Sequence, residues 1–342
     1  MRRVSLLSVC LALFAVAATV RAAEIDPALI AAAKKEGRAT FYTPLIVDQL
    51  ARPLTAAFKA KFGIQIDFQR MDSDAVVLKI LNEYRAKRAV ADVYTTSLNV
   101  GALIKSGAAK KFVLPDQDQF APGYKDPNGY WAADRLYVLV AAVNTTKVAP
   151  GDRPKTYDDL LLPKWSGKFA WRLSNLTGST GFIGSVLTGM GEDKGMAYLR
   201  KLAAQKPIAL NLSDRAVLDQ VISGEFPMTI AMTNHNVEIS RKEGAPIAWI
   251  PLEPAMVFSE QMGLTTLGPH PNAGLLFLEY ALSREGQEVF RKAGYIPARK
   301  DVPPLDPKLL PDAGGFKASI GTPELVEKNV NHWDDVYRQL FR

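Results

Sequence analysis

From residue 40 onward, short β-favouring runs alternate with amphipathic helical stretches, and this alternation constrains the fold more than any other feature. Such a chain builds open sheets whose strands are joined by crossover helices, which excludes all-helical and all-β architectures. The first predicted strand, 40–44, leads to a helix over 48–61 with Leu50, Leu54, Phe58 and Phe62 four apart, stopped by Gly63. Residues 64–70 alternate as a strand, and Ser73 or Asp74 caps a helix whose inner face holds Val76, Val77, Ile80, Leu81 and Tyr84. A third strand, 91–95, precedes Thr96, Ser97 and Asn99 and a helix running to Lys105.

A passage rich in proline and glycine then leads into an unusually long extended stretch at 130–143. A second lobe follows, with strands at 169–173, 208–212 and 228–232 and helices near 180–190, 193–205 and 214–223. Another extended stretch, 247–266, returns the chain to its first lobe. The expected class is α/β, with open sheets flanked by helices and two crossover strands. Lobe 1 comprises 23–135 and 255–342, and lobe 2 comprises 136–254. Residues 273–293 should be helical. The last helix, capped by Thr322 with Pro323 at its first position, lines up Val326, Val330, Trp333, Val336 and Tyr337 and should dock.

Residues 1–22 read as a cleaved export signal, with Arg2 and Arg3 ahead of an apolar run and Val20-Arg21-Ala22 as the cleavage pattern. Export places the mature chain in the periplasm. Its removal takes away Cys10, the only cysteine, and with it any disulfide, Cys-ligated zinc or thiol nucleophile. Losing three arginines lowers the formal charge from +7 to +4, and the remaining basic pairs are too short for a nucleic-acid surface. A monomer without a nucleic-acid partner is expected.

No catalytic set emerges. The histidines, His235, His270 and His332, lack metal-binding spacing, no G-x-S-x-G occurs, and Asp158-Asp159 and Asp334-Asp335 are adjacent pairs that diverge on a helix. No catalytic residue, metal or cofactor is therefore expected. What recurs is polar residues in loops after strands: Thr43, Ser73, Thr96 and Ser97 in the first lobe, Gly178, Ser179 and Thr180 in the second. Such loops gather at one sheet edge, where helix N-termini favour an anion, although each also serves as an ordinary cap. Arg172, just ahead of that glycine-containing helix start, adds a guanidinium suited to a carboxylate or phosphate, or to a surface acid.

Four stretches together resemble the family-1 extracellular solute-binding proteins, in particular their ferric-iron-type group. They are Gly129-Tyr130-Trp131 leading to Val143-Asn144-Thr145, Lys164-Trp165-Ser166-Gly167-Lys168 to Trp171, Gly224-Glu225-Phe226-Pro227, and Gly294-Tyr295-Ile296-Pro297-Ala298-Arg299. The resemblance implies the two-lobed periplasmic binding-protein fold (type II). It also implies a carrier that closes on a small-molecule solute and delivers it to an ABC permease in the inner membrane. Ferric members carry an adjacent tyrosine pair after the strand that follows the Gly-Glu turn, where this chain reads Thr233-Asn234-His235-Asn236. Amides and one imidazole are poor donors for hard ferric iron. Asn234 and His235 become candidate contacts to an organic, anionic solute such as a phosphonate, sugar phosphate or carboxylate. A ferric carrier, a secreted enzyme and a receptor-associated sensor are the alternatives.

Overall fold

The computed structural model describes residues 25–173 and 176–341; the export signal read at 1–22 lies outside them. After helix α1 (Pro27–Glu36), β1 (Arg38–Thr43) leads to α2 (Arg52–Phe62), β2 (Gln65–Arg70), α3 (Ser73–Arg85), β3 (Val93–Ser97), α4 (Gly101–Ser106) and β4 (Ala109–Lys110). The long β5 (Ala132–Asn144) carries the chain to β6 (Phe169–Arg172), α5 (Ser179–Met190), α6 (Glu192–Ala204), β7 (Ile208–Leu210), α7 (Asp214–Ser223), β8 (Met228–Thr233), α8 (Asn234–Lys242) and β9 (Ile247–Ile250). Then β10 (Ala255–Thr265) returns it to α9 (Pro271–Leu282), α10 (Arg284–Lys292), β11 (Ile296–Pro297), α11 (Pro311–Gly314), β12 (Ala318–Gly321) and α12 (Pro323–Leu340).

Among the described residues the strands lie in the order β2-β1-β3-β10-β5-β8-β6-β7. Parallel pairs at each end mark two open sheets, as crossover helices require. Strand β5 belongs to both: Ala132 to Val138 pair with β10, and Leu139 to Asn144 pair with β8 and β9. The stretch expected to cross as one run over 247–266 is two strands, of which β9 pairs with the second-lobe end of β5 and only β10 crosses. Pro251 and Pro254 lie between them, and proline has no N–H to give a ladder.

Each sheet is covered on both faces. Phe41, Phe58, Phe277 and Tyr280 form one core of the first lobe, with Phe58 and Phe277 rings 5.2 Å apart edge to face. Tyr42, Val76, Tyr94 and Trp131 fill its other side. The second lobe is built on Trp171, Phe182 and Ile183, with Val217, Leu218 and Met232 opposite.

Helix α12 corrects the expected division of the chain. Assigned with 255–342 to the first lobe, it instead buries Val326, Trp333, Val336 and Tyr337 in the second-lobe core. Helix α5 provides the seat: a Cβ on Gly184 would lie 2.7 Å from the Trp333 ring, so only glycine admits the indole there. The cap was legible, since Thr322 Oγ1 accepts from Leu325 N at 3.2 Å. The opposite side of α12 reaches the first lobe, where Glu327 forms an ion pair with Lys105 of α4.

Candidate functional site

A cleft of about 810 Å³ lies between the two lobes. One wall comes from the loops after β2 and β3, through Asp72, Ser73, Asp74, Ser97 and Asn99. The facing wall comes from the ends of β6 and β8 and the starts of α5 and α7, through Arg172, Thr177, Thr180, Asp214, Arg215 and His235. Arg135, Tyr137, Glu260 and Tyr295 form the floor, and α12 closes one side with Glu327, Val330 and Asp334. This is where open α/β sheets hold ligands, because helix starts converge beyond the strand ends.

Of the residues singled out in sequence, Ser73, Ser97, Arg172, Thr180 and His235 line the cleft. The Ser73 and Ser97 hydroxyls lie 3.1 Å apart, and Ser97 Oγ donates to Glu260 Oε1 at 2.6 Å. The others stand behind the wall. Thr43 is buried, its Oγ1 accepting from Leu45 N at 3.2 Å. Thr96 Oγ1 is held by Ser73 O and the Asn99 side chain, which shapes the loop. Gly178 is the N-cap position of α5, and Ser179 is fully buried behind it.

Asn234 is a brace. Its Oδ1 accepts from Val138 N at 3.1 Å and His235 N at 3.0 Å, and its Nδ2 donates to Leu309 O at 2.9 Å. Val138 is where β5 passes from one sheet to the other, so the amide ties the crossing together.

The chain's own acids occupy the helix start that the sequence suggested as an anion grip. Arg172, 19% exposed, lies 3.2 Å from Asp72 of the first lobe and 3.5 Å from Asp214 of the second. Thr177 Oγ1 donates to Asp214 and Thr180 Oγ1 to Asp334, each at 2.6 Å. Arg172 therefore spans the cleft between two carboxylates.

Sequence reasoning passed over the floor. Arg135, Tyr137 and Glu260 are buried polar residues inside mainly apolar, fully buried strands, and that mismatch was the available signal. Arg135 Nη1 lies 2.9 Å from Asp134 Oδ1, and Nη2 lies 3.6 Å from Glu260 Oε2, too far for a hydrogen bond. Burial raises the Asp134 carboxyl to about 6 against the opposing pull of Arg135, and burial also raises Glu260. It raises the Tyr295 phenol to about 12 and lifts Tyr137 well above its usual value, so both stay protonated at neutral pH. Among the described residues no group of three or more His, Cys, Asp or Glu is placed to hold a metal ion.

Burial, helped by the Arg135 charge, lowers His235 from 6.5 to about 3, and its ring lies 4.8 Å from that of Tyr295. Below pH 6.5 the unfolded chain binds a proton that the folded one refuses, so the stability this residue contributes is present above 6.5 and lost as pH falls. Wild type should lose about 2 kcal/mol more than a His235→Gln variant between pH 8 and pH 5. Urea unfolding across that range checks it, and parallel curves would place a solvated imidazole there.

Residues 91–314 match the family described as bacterial extracellular solute-binding protein. The iron uptake protein A1 of Synechocystis sp. is 24% identical over 258 residues, covering 71% of this chain and 70% of that protein. Iron-bound HitA from Pseudomonas aeruginosa superposes with a TM-score of 0.75 at 22% identity, covering 89% of this chain and 99% of that one. AfuA from Actinobacillus pleuropneumoniae, solved with exogenous fructose-6-phosphate bound, gives the same TM-score, identity and coverage. The likeness establishes the α/β two-lobed periplasmic binding-protein fold, type II.

Proposed function

Because the chain belongs to the bacterial extracellular solute-binding protein family, we propose that it is the periplasmic component of an ABC importer and carries a small organic acid. The solute enters the cleft, the lobes swing together about β5 and β10, and a membrane permease receives the closed form. No chemical step is performed on the cargo. Closure requires only that the solute bind the closed state more tightly than the open one.

The observation that carries this reading is the cleft itself. Its volume of about 810 Å³ suits an organic molecule and far exceeds a single ion. Arg70, Arg172 and Arg215 on its walls can hold an acidic group, with the solute taking the place of Asp72 beside Arg172. The exogenous fructose-6-phosphate bound to AfuA is a molecule of that kind. Relatives named for iron favour a ferric cargo instead. Against that stands the Thr233-Asn234-His235-Asn236 run, whose amides and single imidazole are poor donors for hard ferric iron.

A thermal-shift screen of phosphonates, sugar phosphates, carboxylates, polyamines and ferric salts is expected to give stabilisation by an organic acid and no phenolate-iron absorption band. Arg172→Ala should weaken that acid's binding by about ten- to a hundredfold, the worth of a charge-assisted hydrogen-bond pair. Unchanged affinity would remove Arg172 as the anchor. A visible band on adding ferric ion would restore the iron reading.

A further inference from the structure

Two buried polar atoms at the cleft floor, the Tyr137 hydroxyl and Glu260 Oε2, and a third on the adjoining wall, His235 Nδ1, make no geometric hydrogen bond. Their residues all line the cleft, and none is more than 5% exposed. Tyr137 lies beside Ser97, whose proton goes to Glu260, so the Tyr137 proton is the one left to give, to Ser97 Oγ or to an incoming group. Buried polar groups are normally paired, so three such atoms around one cleft are completed by whatever enters.

The neighbouring charges decide what that is. Arg135 and Glu260 stand side by side with Asp134 behind them. An ammonium would meet the Arg135 guanidinium, and a carboxylate or phosphate would meet Glu260 and Asp134. A hydroxyl meets neither objection, since it donates to Glu260 Oε2 and accepts from Tyr137 or Arg135. Resting on the reading above, in which the acidic group is held by the wall arginines, we infer that the floor receives hydroxyl groups at the solute's other end. The cargo is then a polyhydroxylated organic acid, and Glu260 and Tyr137 determine specificity for it.

Matched probes of equal charge test this by isothermal titration calorimetry: fructose 6-phosphate against hexyl phosphate, and gluconate against hexanoate, with sorbitol and putrescine alongside. In one pair at least, the hydroxylated member should bind at least about tenfold more tightly. Which pair shows it separates phosphate from carboxylate cargo. Tyr137→Phe and Glu260→Gln, each checked for folding by circular dichroism, should remove most of that preference, the hydroxylated member losing more affinity than its deoxygenated partner in each variant. Equal affinity within both pairs, equal losses for both members in the variants, or binding of none of the probes overturns the floor assignment. Equal affinity within the pairs leaves the organic-acid reading standing. Binding of sorbitol alone keeps the floor and removes the acidic group, and preference for putrescine overturns both.

Discussion

Replacing Trp333 with alanine is expected to cost about 3–5 kcal/mol of folding stability, the usual loss when a buried indole is truncated and its cavity cannot collapse. The indole is 2% exposed and lies against Gly184 of α5, so the backbone beneath it cannot move inward to fill the space. The end of α12 is held by other rings: Phe341 packs against Trp171 with ring centroids 4.8 Å apart and stacks on Tyr337. Loosening α12 would disturb the cleft, because Glu327 and Asp334 stand on it. Urea unfolding and solute titration on one variant should therefore move together. A loss below about 1 kcal/mol would mean that α12 contributes little to the second-lobe core.

Asn234→Ala should cost about 3 kcal/mol, because it leaves Val138 N–H and Leu309 C=O buried without partners. Asn234→Asp is the control: it keeps the acceptor for Val138 and His235 but cannot donate to Leu309. Its carboxylate would be fully buried against the Leu309 carbonyl, so its loss at neutral pH should be at least as large. If both variants unfold at the wild-type urea concentration, water has replaced the brace and Asn234 has no part in holding the crossing.

Much of this architecture was legible because it rests on local rules. Strand–helix alternation, the Gly63 stop and the Thr322 cap each depend on residues within a few positions, and the folded chain shows them where the pattern put them. The candidate site was less legible because its partners are remote in sequence. Arg172 meets Asp72, which is 100 residues away. No periodicity announces such a pair, nor that Asp334 would supply the acceptor for Thr180. Asn234 looked like a ligand contact because it stands where the resembled ferric group carries its tyrosine pair, but its amide turns inward to backbone groups at the crossing. The apolar stripe on α12 predicted docking and could not say on which lobe, since both offer apolar faces.

Strands β5 and β10 are hydrogen-bonded to each other up to the crossing, Met262 facing Ala132 and Val257 facing Val138. Two separate tethers would let the halves of the molecule slide and twist independently. A bonded ribbon bends across its width but resists shear along its length, which leaves the two halves little freedom beyond rocking about one axis. On the carrier reading proposed above, loaded and empty states would differ in a single angle, which a partner gripping both halves would read without touching the cargo.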